Sequence, residues 1–148
     1  MKHEGQCHCG KITIETELDP MLTYTCGCNS CRRKGGFVGA RVMYAQDEIE
    51  IKGSTKEYIY EGGSGGKIYS QHCENCFTLT HATFDYMEGI VALPIGMFDK
   101  AKDFKPRLEI WTSEKLDWLK DDGCIVNKVE DSGVKERLVE LLEKIENR

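Results

Sequence analysis

The stretch TYTCGCNSCRRKGG, residues 23–36, places Cys26, Cys28 and Cys31 within six residues and sets Arg32, Arg33 and Lys34 directly behind them. A structural zinc site closes with four ligands, and this cluster offers three. Elsewhere the chain carries the pairs Cys7-x-Cys9 and Cys73-x-x-Cys76, with Cys124 left over. C-x-x-C is the spacing at which two thiolates on one tight turn reach a single tetrahedral ion, and C-x-C does the same on a more extended backbone. Cys7, Cys9, Cys73 and Cys76 together make a closed four-thiolate site that ties the first strand to the middle of the chain. With no open position, it predicts folding free energy and no catalysis. Cys26, Cys28 and Cys31 then remain as a set of three with one position free, the pattern of a catalytic zinc. Three thiolates make the zinc a poor Lewis acid for ionising water and suit it to an exogenous soft ligand such as a substrate thiol. Arg32 or Arg33 has the planar fork that holds a substrate carboxylate; the competing reading of the cationic run is a solvated surface. Cys124 reads as a small buried hydrophobe or a free thiol, and His81 as an acid or base only if it faces a pocket.

The bulk numbers narrow the setting. At 148 residues, 40% hydrophobic and 30% charged, the chain reads as one soluble domain. No apolar run approaches a membrane span, and MKHEGQCHCGK lacks the apolar region of a secretory signal, so the expected compartment is the cytoplasm. There, eight cysteines imply metal or redox chemistry rather than disulfides. A net charge of −5 argues against nucleic-acid or membrane-surface partners, which need clustered cations.

Most of the chain alternates like short strands. These are KITIET (11–16), FVGARVMY (37–44), EIEIK (48–52), KEYIY (56–60), KIYSQHC (67–73), LTHATF (79–84), GIVALP (89–94) and RLEIW (107–111). The run GGSGG at 62–66 turns one hairpin. The fold class expected is mainly β, with antiparallel sheets. SGVKERLVELLEKIENR (132–148) instead repeats at helical spacing, with Val134, Leu138, Leu141, Leu142 and Ile145 on one face and Ser132 as N-cap. It docks on its own domain or pairs with a second copy as a homodimer. A second short helix is expected at 113–119, capped by Ser113. The division expected is a zinc-binding domain at 1–122 and a helical extension at 123–148.

At GQCHCG (5–10), CGCNSCRRKGG (26–36), CENC (73–76) and a late Trp118, the chain resembles the family of glutathione-dependent formaldehyde-activating enzymes, which shares its domain with centromere protein V. The resemblance covers roughly residues 5–120. It implies an Mss4-like fold of several twisted antiparallel sheets and two zinc ions per chain. The structural zinc falls to Cys7, Cys9, Cys73 and Cys76, and a second zinc to Cys26, Cys28 and Cys31. It further implies a carbon–sulfur lyase acting on an adduct like S-hydroxymethylglutathione, with a small thiol such as glutathione as partner. A non-catalytic zinc module that binds a protein or a thiol is the alternative. Phe77 stands where the family usually has glycine, Gly27 where it often has histidine, and RLEIW lacks a histidine often found there.

Overall fold

A computed structural model describes residues 2–147. The chain is mainly β. In order it forms β1 (His3–Gln6), β2 (Thr13–Thr16), β3 (Leu22–Cys26), α1 (Asn29–Gly35), β4 (Gly39–Ala45), β5 (Glu50–Lys52), β6 (Thr55–Glu61), β7 (Lys67–Cys73), β8 (Leu79–Phe84), β9 (Ile90–Pro94), β10 (Leu108–Ile110), β11 (Asn127–Lys128) and α2 (Val134–Glu146). It divides into two compact units, Met1–Pro20 with Val42–Phe104, and Met21–Arg41 with Lys105–Arg148.

In the first unit, β1, β2 and β5 form an antiparallel sheet in the order β1-β2-β5. The alternation of KITIET sends Ile12, Ile14 and Thr16 inward, at 0%, 2% and 3% exposure. Ile12 and Ile14 join Val42, Tyr44, Val91, Leu93 and Phe98 in the core, and Cys7 and Cys73 belong to the same cluster. The strands β9-β8-β7-β6 lie side by side and antiparallel. GGSGG turns the β6–β7 hairpin, with the Gly62 amide donating to the Gly66 carbonyl at 2.9 Å. Tyr58 and Tyr60 stack on β6, and Phe84 is buried.

The second unit corrects four expectations. β10 runs parallel to both β3 and β11, so the pairing here is not antiparallel. Its strands are two to five residues long, too short for alternation to show their partners. The terminal helix starts at Val134, and its N-cap is Gly133 at φ +54° with no side-chain cap bond, rather than Ser132. Its inner face, packed against β3, carries Arg137 and Leu141. Leu138, Leu142 and Ile145 are 40%, 58% and 55% exposed, so the apolar stripe and the buried stripe are offset. Over 112–119 there are two short turns and no helix: Thr112–Glu114, entered from Trp111 at φ +56°, and a second closed by the Leu119 amide on the Leu116 carbonyl at 3.1 Å. Ser113 caps no helix; its hydroxyl donates to the Glu130 carbonyl at 2.6 Å.

Candidate metal centres

In the first unit, Cys7 and Cys9 leave β1 on a turn closed by the Gly10 amide on the Cys7 carbonyl, 3.0 Å. Cys73 ends β7, and the chain turns back so that the Phe77 amide donates to the Cys73 carbonyl at 2.9 Å. Phe77 takes φ +61° to do so, the left-handed conformation that favours glycine. All four sulfurs lie within 4.8 Å of one another. Cys7 to Cys9 is 3.6 Å and Cys9 to Cys73 is 3.7 Å. A tetrahedron with zinc–sulfur bonds of roughly 2.3 Å has edges of about 3.8 Å, so the donor set fits a tetrahedral thiolate ion. Amide and hydroxyl donors already aim at the sulfurs. Ile12 donates its amide to Cys7 at 3.3 Å, and the Thr78 hydroxyl stands 3.1 Å from Cys76. Hydrogen bonding from Thr78 holds the Cys76 thiol down to about 5. His8 is exposed and takes no place in the cluster.

In the second unit, Cys26 ends β3, Cys28 is the N-cap of α1, and Cys31 lies in that helix's first turn. Cys28 replaces an ordinary cap, its sulfur accepting the Cys31 amide at 3.3 Å. Glu114 secures the same helix end, accepting the Asn29 amide at 2.7 Å. Gly27 sits tight between them. A Cβ there would meet the Lys115 Cβ and the Trp111 carbonyl oxygen, each at 3.0 Å, so any side chain at this position crowds both. Lys115 is held in place by a 2.6 Å ion pair with the buried Glu109.

The three sulfurs lie within 4.8 Å of one another, and Cys124 is not among them. Cys124 sits on a loop where its amide donates to Asp122. Hydrogen bonding within the trio, from Cys26 and Cys28 and then from Arg41, holds Cys31 well below the usual thiol range. Arg41 was not singled out from the sequence, yet it is buried and its Nη2 donates to the Cys31 sulfur at 3.7 Å. An arginine inside a strand, ten residues beyond Cys31, carries no spacing signal. Burial holds Lys34 down to about 8. Arg32 donates from Nη2 to Asn29 at 2.5 Å, while its buried Nε has no hydrogen-bond partner. Arg33 is exposed. His81 is on β8 in the first unit, half-buried, with Nδ1 3.0 Å from the Thr80 hydroxyl.

The geometry defines a mainly β protein with two separate cysteine clusters able to hold metal ions, one closed and one with three protein ligands. The family model described as glutathione-dependent formaldehyde-activating enzyme matches residues 2–114, and the chain belongs to that family. Trp118 and α2 lie beyond the match. A crystal structure of a Rhodobacter sphaeroides protein shares 23% identity, covering 70% of this chain and 92% of its own, with a TM-score of 0.49. No curated protein matches the chain.

Proposed function

We propose that this chain is a zinc-dependent carbon–sulfur lyase that makes or breaks the bond between a small thiol such as glutathione and formaldehyde. The observation that carries the reading is the group of three cysteine sulfurs without a fourth cysteine, histidine or carboxylate among the described residues. Cys26, Cys28 and Cys31 would hold the reactive zinc, and Cys7, Cys9, Cys73 and Cys76 the structural one. Zinc bound by three thiolates lowers the pKa of a further thiol and presents its sulfur as thiolate.

The protein's own part is orientation. Arg32 stands in the helix turn of Cys31 with its Nε buried and Nη2 on Asn29, so a substrate carboxylate would meet the terminal nitrogens of its guanidinium. Arg33 is exposed, so the solvated-surface reading fits it better. The Glu114 carboxylate and the Lys115–Glu109 pair fix the turn against which Gly27 rests, which holds the three sulfurs in register. We assign this role to residues 1–122 and treat 123–148 as an extension. A cytoplasmic setting and pairing of two copies through the exposed side of α2 belong to the same reading.

The test follows formaldehyde exchange with glutathione by NMR, for wild type and Cys28→Ser. Serine retains a good helix cap at this position, so the fold should survive while exchange returns to the uncatalysed rate. Wild-type exchange no faster than the uncatalysed rate, with the thiol nonetheless bound, supports the non-catalytic module instead.

A further inference from the structure

The alternation of β4 puts Gly39 and Arg41 on one face of the strand, and both meet Cys31. A Cβ at position 39 would lie 3.1 Å from the Cys31 Cβ and 3.2 Å from its sulfur, so glycine there leaves the sulfur its place. Two residues on, the Arg41 guanidinium reaches the same sulfur at 3.7 Å. Arg41 is only 6% exposed. A guanidinium is costly to bury unless its charge is answered, and the Cys31 sulfur is one of the groups that answer it.

Charge gives this contact a consequence. Zinc with three thiolates carries about −1, and a fourth thiolate takes the centre to about −2. Such a centre resists the anionic ligand that the proposed reaction needs. A cation against one sulfur offsets that repulsion, and its hydrogen bond also withdraws electron density from the thiolate toward the guanidinium. A neutral ligand gains far less from either effect. We propose that Arg41 is a positioning residue of the three-cysteine centre, bracing the Cys31 sulfur with Gly39 and making the open position selective for an anionic thiolate. This rests on the reading of Cys26, Cys28 and Cys31 as a metal centre.

The test uses the full chain loaded with cobalt(II), with the spectrum of Cys28→Ser subtracted to remove the four-cysteine site. Wild type, Arg41→Lys and Arg41→Gln are titrated with 2-mercaptoethanol and, separately, with imidazole as a neutral ligand. Arg41→Gln should weaken 2-mercaptoethanol binding by about tenfold and imidazole by less than about twofold. Its sulfur-to-cobalt charge-transfer band should move to lower energy, and Arg41→Lys should keep most of the thiol preference. Equal weakening of both ligands, or no change in either, overturns the assignment. If Arg41→Gln does not fold, Arg41→Lys decides. A shifted band with thiol preference kept supports the role, and an unshifted band or a lost preference overturns it. The absence of a second cobalt in wild type overturns the metal reading and this inference together, whereas a second cobalt without ligand discrimination overturns the role of Arg41 alone.

Discussion

At the scale of single residues, two departures from the family pattern have opposite physical meanings. Phe77 occupies a left-handed turn position that glycine would fill without strain, and its ring is 70% exposed, so it contributes little burial. The left-handed conformation costs a non-glycine residue about 1–2 kcal/mol, and glycine's larger unfolded-state entropy takes back part of that. Phe77→Gly should therefore stabilise the zinc-loaded protein by about 1 kcal/mol, raising the thermal midpoint by about 3 °C. A lower midpoint would show that the ring holds the knuckle. Gly27 is the reverse case, because backbone and side chain close on it from two sides at 3.0 Å. Gly27→Ala should cost about 1–3 kcal/mol by overpacking, measured by urea denaturation, and should loosen metal at Cys26, Cys28 and Cys31 while leaving the four-cysteine site intact. The cysteines announced themselves by spacing. Arg41 and Glu114 did not, since each reaches its sulfur or helix end through the fold rather than along the chain, and Thr78, two residues from Cys76, belongs to no ligand spacing.

At the scale of elements, β8 carries a pH effect unrelated to metal. Burial holds His81 below its ordinary value of 6.5. Below that value the unfolded chain takes up a proton that the folded ring resists, so the unfolded state binds more protons and stability falls as pH drops. His81→Gln should remove this part of the acid loss; denaturation curves below and above pH 6.5 should converge for the variant relative to wild type. An unchanged pH slope would mean the ring protonates freely in the folded state. The long strands β6, β7 and β8 were legible because each runs six or seven residues and carries β-branched and aromatic side chains. β1, β3 and β11 were not, because HEGQ and NK lack β-branched residues and LTYTC runs into the cysteine motif. The helix α1 hid inside the cysteine motif, where a thiolate replaces the usual cap and the metal spacing masks the helical one. In α2 the period was right and the face was offset: Leu141 is buried as expected, but Arg137 is buried beside it while Leu138, Leu142 and Ile145 are exposed.

At the scale of the whole molecule, each compact unit contains one complete cluster: Cys7, Cys9, Cys73 and Cys76 in the first, Cys26, Cys28 and Cys31 in the second. The closed set joins two segments some sixty residues apart, with Cys7 and Cys73 in a core cluster and Cys76 packed against it. The open set is gathered from a strand end and one helix turn, backed by Gly39 and Arg41. Removing metal with a chelator should therefore act in two stages, the three-ligand site emptying first without loss of secondary structure. The most direct measurement is zinc per chain, by elemental analysis, for wild type and Cys28→Ser purified with added zinc. The account predicts two ions for wild type and one for the variant; the same number in both would contradict it.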